Sequence, residues 1–436
     1  MSRPAKSLVS RMMSGLTPAS RSTRRAFGAC LLRRASKRPL EKATHVDAKA
    51  RSLEAHLEIP ICDADAEEIA RRMAQEHGQF LARQDRWDEL ADALRAADAG
   101  REVTPAGIPL ADLMAFGARS DVVHAVEHAL MYGAPPDDAP ITAGIAELEY
   151  VYADHAQDPM IAMVVALAHI DLAWAWRGAG WEATLPQRHR DAAAMHFERA
   201  GEILAPYNAA AQRSPVLAAA QCALLPGQAM PQFKIADTYH RLIDLDPANH
   251  RHMRVMGTHL LPRWFGNYDL LELEARRAAA RTKSWLGHGG YTWVQFDAIA
   301  LDDVACERVD VPFFIDGLRD IVAHRPDQAM INMLAAYCSV ALPQGLGLNE
   351  KADLARAQII GCAKWLIRDH LTEVHPLLWA HAAEGFDTSA RVTSLSRFAQ
   401  RGKADALRAI AEQFGDDIAN GNRVTFTADG PKLRAL

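Results

Sequence analysis

The chain has 436 residues, which suits two or three domains or one continuous array of stacked helices. Hydrophobic residues make up 49% and charged residues 24% of it, as in a globular chain with a large core. The net charge is −5, although residues 1–45 contain eleven basic residues and one acidic residue, so the rest of the chain is strongly acidic. An acidic body disfavours nucleic acid as the main partner, because phosphate binding requires a basic face.

The six cysteines are scattered along the chain and contain no C-x-x-C pair. They are Cys30, Cys62, Cys222, Cys306, Cys338 and Cys362. This spacing argues against a disulfide framework or a zinc ribbon, and it favours a reducing, cytoplasmic location. The longest apolar run, 160–168, is shorter than the ~20 residues that a membrane-spanning helix needs, so we expect no membrane span.

Residues 1–45 are predicted to form a basic, disordered arm, because they are rich in Arg, Ser and Pro. The segment 22–27 resembles the start of a twin-arginine export signal, which would make the protein a secretion or envelope accessory factor. The apolar run that follows ends at Leu32 and is short for such a signal. The composition also matches a mitochondrial transit peptide, and a later start at Met12 or Met13 is a further alternative.

Helices are predicted in succession from about residue 46 onward, because alanine is abundant and β-branched alternation is scarce. We therefore predict an all-α fold. The clearest linker is 133–138, Gly-Ala-Pro-Pro-Asp-Asp, which separates an N-terminal helical region, 46–133, from a helical-repeat region with a C-terminal cap, 139–436. Helices near 388–399 and 403–419 and a short strand at 424–427 are expected to close the chain.

The segment 235–283 has the clearest local signals. Pro247 ends one helix, since proline disfavours helical geometry at the residue before it. Asn249 and Asn267 are predicted N-caps of the next two helices. One apolar face is predicted from residues at helical spacing, namely Met253, Met256, Gly257, Leu260 and Leu261. Gly257 lies in the middle of that face, where it would let a neighbouring helix approach closely.

Within this segment, Met256-Gly257, Gly266-Asn267-Tyr268 and the following alanine-rich helix resemble a tetratricopeptide (TPR) unit. That family uses a small residue in its first helix, a Gly-x-Tyr turn and alanines in its second helix. The resemblance implies an irregular, TPR-like superhelical solenoid of stacked αα-hairpins that binds a protein or peptide on its concave face.

A second stretch also resembles a TPR helix, through the spacing of Ala193, Phe197 and Ala200. Turn prolines occur at Pro206, Pro247 and Pro326, at separations of 41 and 79 residues, or one and two steps of about 40, which is longer than the ~34 of a TPR. The glycine-rich segment 287–290 is predicted to serve as the missing turn. The segment 262–268, PRWFGNY, also resembles a bacterial family of unknown function with a W-G-[NS]-Y core.

The best candidate for a binding site is an aromatic cluster within residues 264–296. Its members are Trp264, Phe265, Tyr268, Trp285, Tyr291, Trp293 and Phe296, with Arg276 and Arg277 nearby. We predict a peptide-binding groove with five contact residues, namely Arg254, Arg263, Trp264, Tyr268 and Trp293. The alternative is that these rings pack between helices. No catalytic residue, metal or cofactor is expected in this interpretation.

A rival hypothesis is a zinc-dependent peptidase, because His124, Glu127 and His128 form an H-x-x-E-H string. On a helix the two histidines share one face and can bind zinc, with the glutamate as general base. The string resembles the inverted motif of insulinase-type peptidases, and Glu202 lies near that family's third ligand. That family has long strands, which this sequence lacks. The histidines and glutamates within 370–384 lack a clean i,i+4 pair and are expected to be solvated or packed in the core.

Overall fold

The computed structural model describes residues 55–62, 65–131, 141, 143–178, 185–384 and 394–435. Within these ranges the chain is mostly helical with one small sheet, which confirms the predicted all-α class. The predicted basic arm, 1–45, and the predicted linker, 133–138, lie outside the described residues. The regions 46–133 and 139–436 therefore stay predictions.

The helices of the first half of the chain follow one another with short connections. They are α1 (Asp65–Arg83), α2 (Trp87–Gly100), α3 (Leu110–Met131), α4 (Ala143–Asp154), α5 (Pro159–Arg177), α6 (Gln187–Leu204), α7 (Ala209–Gln212), α8 (Pro215–Ala223) and α9 (Ile235–Leu245). Short 3-10 turns at Leu225–Gly227 and Pro231–Phe233 lie between α8 and α9. Ser214 caps α8, since its hydroxyl accepts a hydrogen bond from the Leu217 amide, 3.2 Å away.

The helices of the second half include several very short elements. They are α10 (His250–His259), α11 (Tyr268–Leu286), α12 (Gly289–Leu301), α13 (Asp303–Arg308), α14 (Val311–His324), α15 (Gln328–Ala336), α16 (Glu350–Ile360), α17 (Ala363–Trp365), α18 (Pro376–Ala383), α19 (Leu395–Gln413) and α20 (Gly415–Ala419). Wider π-helical turns occupy Tyr337–Ala341 and Leu366–His370, and a 3-10 turn occupies Leu342–Gly345.

The chain divides into two compact units, and the described part of the first comprises residues 73–102, 109–131, 141, 143–178 and 185–241. Its central helix is α5, which packs against α2, α3, α4, α6 and α8. Residues 161–166 of α5 are all apolar and fully buried, so this stretch of the helix is surrounded by protein on every side. Among the described residues, α5 is the helix long and apolar enough to cross a membrane, but 72% of its apolar window is buried within the protein. The burial accounts for its composition.

A buried polar chain links α4, α5 and α6 in the first unit. The Nδ1 atoms of His169 and His196 lie 2.9 Å apart, and His169 Nε2 lies 2.9 Å from Glu149 Oε1. Arg199 donates to both oxygens of Glu149, each at 2.7 Å. Burial lowers the pKa of His196 to about 4 and also lowers the pKa of His169. The pair is therefore held in its neutral form inside the folded unit.

This pair predicts an acid-sensitive first unit. An unfolded histidine binds a proton near pH 6.5, whereas His196 in the folded protein binds one only near pH 4. Between these values the unfolded state binds more protons, so the stability contributed by His196 is complete above about pH 6.5 and is lost as the pH falls toward 4. We expect urea denaturation between pH 7.5 and pH 4.5 to show this loss.

The matched variant is His196→Asn, which keeps a hydrogen-bonding atom near the Nδ1 position but does not titrate. It should weaken the pH dependence of the unfolding free energy. His324→Asn, at an exposed histidine of α14, should leave that dependence unchanged. An equal pH dependence in the wild type and His196→Asn would contradict the assignment.

The described part of the second unit comprises residues 55–62, 65–72, 103–108, 242–384 and 394–435. Its central helix is α12, which packs against α10, α11, α13 and α14. Both predicted asparagine caps are confirmed. Asn249 Oδ1 accepts from the Arg251 amide at 3.2 Å, and Asn267 Oδ1 accepts from the Leu270 amide at 2.8 Å. The predicted turn at 287–290 joins α11 to α12, with Gly287 in a left-handed conformation at φ +56°.

The predicted apolar face is confirmed, since its four side chains, two on α10 and two just after its end, are fully buried. These are Met253, Met256, Leu260 and Leu261. Gly257 lies against the backbone of α12, where an added Cβ would be 1.8 Å from the carbonyl oxygen of Val294. The predicted close approach of a neighbouring helix at Gly257 is therefore confirmed.

Two features near the C-terminus differ from the prediction or extend it. The predicted break between 399 and 403 is wrong, because α19 runs through Gly402, which lies against Pro376 at the start of α18. The predicted strand is confirmed as β2 (Asn422–Thr427). It pairs antiparallel with β3 (Gly430–Ala435) and parallel with β1 (Leu57–Glu58), in the order β1-β2-β3.

Candidate functional site

Three of the aromatic residues predicted to line a groove are core residues of the second unit. Tyr291, Trp293 and Phe296 all lie on α12 and are almost completely buried, with Trp293 only 1% exposed. The Trp293 ring packs against His250 of α10, with ring centroids 4.4 Å apart. The prediction that Trp293 contacts a partner does not fit this position, because its indole is enclosed by neighbouring helices.

Arg254, another predicted contact residue, forms a bidentate ion pair within the second unit. Its Nε and one terminal nitrogen donate to the two carboxylate oxygens of Asp297, both at 2.8 Å. The guanidinium also lies over the ring of Phe296, 4.8 Å from its centroid. Both side chains are largely buried, so this pair fixes α10 to α12.

The remaining predicted residues, Arg263, Trp264 and Tyr268, are half-buried; the first two lie in the turn between α10 and α11, and Tyr268 begins α11. The Tyr268 hydroxyl donates to Asp302 at 3.2 Å, and the guanidinium of Arg308 lies over the tyrosine ring, 5.7 Å from its centroid. Burial raises the pKa of Tyr268 to about 12, and nearby Asp302 adds to the shift. Tyr268 is therefore a neutral hydrogen-bond donor that joins the predicted turn to α13.

Ion pairs hold α13 and α16 together in an antiparallel arrangement. Arg356 lies 2.5 Å from Asp303, at the start of α13, while Lys351 lies 2.9 Å from Glu307, near its end. The Arg356 side chain is 1% exposed and also donates to the carbonyl oxygen of Gly345 at 2.9 Å. These contacts hold both helices and the segment before α16 in place.

Exposed apolar side chains lie along this helix pair. Val304 is one turn before Glu307 on α13, and Leu354 is one turn after Lys351 on α16. Because Glu307 pairs with Lys351 and the helices are antiparallel, Val304 and Leu354 lie at the same level of the helix pair. Leu354 is 66% exposed. Together with exposed Leu301 and Leu348 at the two helix starts, these residues define what we call the α13–α16 surface.

Sequence reasoning located Tyr268 beside this surface but missed the surface itself. One local signal for it was present, because Leu354 lies between Lys351 and Gln358 on an otherwise polar helix face. A large apolar side chain that interrupts such a face indicates contact with something beyond the helix.

The zinc motif on α3 does not gather a third ligand among the described residues. His124, Glu127 and His128 are exposed, and Glu202 is ion-paired with Arg199 at 2.8 Å. Over the part of the chain that the structure describes, three metal-binding donor atoms come together at Cys62, Glu373 and His375. All three lie in the second unit and none belongs to the predicted motif.

Comparison with known proteins found no matching family model, no matching curated protein and no matching solved structure. The function is therefore argued from the geometry of the chain. The α13–α16 surface combines exposed apolar side chains with the Glu307–Lys351 ion pair.

Proposed function

We propose that the chain is a non-catalytic protein-interaction module and that a protein or peptide partner binds at the α13–α16 surface beside Tyr268. Two exposed apolar side chains at the same level of the helix pair, Val304 and Leu354, carry this proposal. Removing apolar area from water drives association, and contiguous apolar surface rimmed by polar residues marks sites of interaction. A partner that buried Val304 and Leu354 would remove from water two side chains that folding has left exposed.

The rigidity of the α13–α16 surface also supports the proposal. The buried Arg356 guanidinium holds α16 against α13, and Asp302 caps α13 by accepting hydrogen bonds from the Val304 and Ala305 amides, both at 3.0 Å. A surface fixed by such contacts loses little conformational entropy when a partner binds, so more of the contact energy becomes affinity.

The chemistry of the surface limits the kind of partner. Val304 and Leu354 would contact apolar side chains of the partner. The Glu307–Lys351 pair beside them would contact polar side chains of the partner that carry both signs of charge. An amphipathic helix that presents apolar residues at i, i+3 and i+4 meets both requirements. We propose such a helix, as a peptide or as part of a folded partner.

A TPR-like stacked arrangement and a cytoplasmic location belong to the same proposal. In its support, α10, α11, α12 and α14 pack against one another in succession within the second unit, as the helices of a repeat array do. The five described cysteines are free thiols, which suits a reducing compartment.

The proposal predicts that two substitutions will abolish partner capture. The untagged or minimally tagged full chain is recovered at native levels beside Val304→Asp/Leu354→Asp, and bound proteins are quantified by mass spectrometry. A stoichiometric partner should accompany the wild type, and its affinity for the purified variant should fall at least about tenfold, because each carboxylate would have to be buried against apolar groups.

The matched control is Leu433→Asp, which adds a carboxylate at an exposed leucine of β3, away from the α13–α16 surface. It should retain the partner. Trp264→Ala/Tyr268→Ala should weaken binding less than the double aspartate variant, since these rings are half-buried beside the surface. Absence of a stoichiometric partner, or equal capture by all variants, would contradict the proposal.

A further inference from the structure

Two distant segments of the second unit meet side by side as extended chains. The Cys62 amide donates to the carbonyl oxygen of Val374 at 2.8 Å, and the Val374 amide donates to that of Pro60 at 2.9 Å. Ile61 and Val374 form a parallel bridge. The segment ending at Cys62 is thereby held alongside the connector 371–375.

Three side chains with different donor atoms converge at this bridge. The Cys62 sulfur, a Glu373 carboxylate oxygen and a His375 ring nitrogen all lie within 4.8 Å of one another. Glu373 and His375 share one face of the connector, because side chains alternate along an extended chain, and Val374 between them is fully buried on the opposite face. His375 Nε2 lies 2.9 Å from Glu373 Oε1.

A fully buried asparagine fixes the backbone that carries two of these donors. The Asn332 side-chain nitrogen donates to the carbonyl oxygen of Glu373 at 2.9 Å, and its oxygen accepts from the His375 amide at 2.9 Å. The indole of Trp379 donates to the same oxygen at 2.8 Å. Polar contacts of this kind hold the ligands of a metal site in position and are needed for its affinity.

We propose that Cys62, Glu373 and His375 form a binding site for a divalent transition metal, with Zn²⁺ as the best match. A thiolate, an imidazole and a carboxylate together suit Zn²⁺, whereas Mg²⁺ and Ca²⁺ require oxygen ligands. Tetrahedral zinc bonds place neighbouring donor atoms about 3.5 Å apart, so separations of up to 4.8 Å require only small side-chain rotations. All three residues are partly exposed, which leaves a fourth position for water.

The ion would connect chain positions that are more than 300 residues apart. The unfolded chain rarely brings such distant donors together, so the ion would bind the folded protein preferentially, stabilise it and hold the segment 55–62 in place. This role is independent of partner binding at the α13–α16 surface. The competing chemistry is a cysteine nucleophile activated by His375 and oriented by Glu373, in which the thiol is free rather than metal-bound.

The test uses the tag-free full chain, dialysed against a chelator and titrated with Zn²⁺ by calorimetry. The wild type should bind one equivalent, and Cys62→Ser and His375→Gln should each lower the affinity at least about tenfold. Cobalt should give a thiolate charge-transfer band in the wild type that is absent from Cys62→Ser. His370→Gln, at a half-buried histidine just before the connector, should bind as the wild type does.

Alkylation provides a second readout that does not depend on affinity. Iodoacetamide should label Cys62 in the metal-free protein, and one equivalent of Zn²⁺ should protect it, as followed by peptide mapping. The other described thiols are Cys222, Cys306, Cys338 and Cys362. They are buried, and burial raises the pKa of each, so they should react slowly under both conditions.

Circular dichroism establishes that each variant is folded, and Glu373→Gln replaces any variant that is not. The proposal is overturned if the wild type binds less than stoichiometric Zn²⁺, or if the cysteine and histidine variants bind as tightly as His370→Gln. It is also overturned if Zn²⁺ leaves the alkylation rate of Cys62 unchanged, which would show that the thiol is not a ligand.

Discussion

Gly257→Ala is expected to lower the free energy of unfolding by about 3 kcal/mol or more, although alanine normally favours a helix over glycine by about 1 kcal/mol. The added methyl group would lie 1.8 Å from the carbonyl oxygen of Val294 on α12. Backbone atoms cannot move aside as the end of a flexible side chain can. Helices α10 and α12 would have to separate, which opens the core around Met253 and Met256.

The matched control for Gly257 is Gly201→Ala on α6. An added Cβ there meets only Leu224 Cδ2 at 3.6 Å, which is an ordinary contact, so this change should stabilise the protein by up to about 1 kcal/mol. Urea denaturation followed by circular dichroism measures both variants. Opposite signs are expected, and a neutral or stabilising Gly257→Ala would show that α10 and α12 are not packed as described.

Asn332→Leu is expected to lower the free energy of unfolding by at least about 3 kcal/mol. Asn332 is fully buried, and its amide makes four hydrogen bonds, including one to the Gln328 carbonyl at 2.8 Å. Leucine matches its size but leaves the indole of Trp379, the amide of His375 and the carbonyl of Glu373 without this partner. Each unsatisfied buried group costs about 1–3 kcal/mol.

The control for Asn332 is Gln358→Leu, at an exposed position of α16, which should change the unfolding free energy by no more than about 0.5 kcal/mol. Because Asn332 positions both Glu373 and His375, Asn332→Leu should also weaken Zn²⁺ binding about tenfold or more if it remains folded. A small loss of stability in Asn332→Leu would mean that water or other groups replace the amide.

Local structure was largely readable from the sequence. The caps at Ser214, Asn249 and Asn267 were predictable because a cap depends on the residue and the first turn that follows it. The salt bridge from Arg276 to Glu272, 2.7 Å long, likewise follows from their spacing on one helix. The apolar face of α10 depends on helical periodicity alone.

Contacts between distant segments were not readable. A helix break was predicted next to Gly402, whereas the helix continues through it. The glycine is needed because α18 approaches closely at Pro376, and nothing near Gly402 in the sequence reveals that approach. Likewise, no local signal pairs Leu57 with Val424 across the small sheet. Intrinsic propensity favours a turn at an isolated glycine, whereas close helix packing here requires a glycine inside a helix.

The same holds for the candidate sites: their local features could be predicted from the sequence, and their contacts with distant segments could not. Tyr268 stood out because of its aromatic neighbours, but whether a ring faces the core or solvent depends on helices elsewhere, and Trp293 faces the core. The α13–α16 surface arises only when Glu307 meets Lys351. The proposed metal site needs Cys62 beside the connector that carries Glu373 and His375, a proximity that the spacing of these residues does not indicate.

Hydrogen–deuterium exchange of the full chain, free and with its captured partner, tests the central claim most directly. We expect the partner to protect amides within 301–308 and 346–356, and we expect the amides of β3 to exchange at the same rate in both states. The same experiment on Val304→Asp/Leu354→Asp should show no added protection. Protection confined to other segments, with 301–308 and 346–356 unchanged, would contradict the assignment of the α13–α16 surface as the partner site.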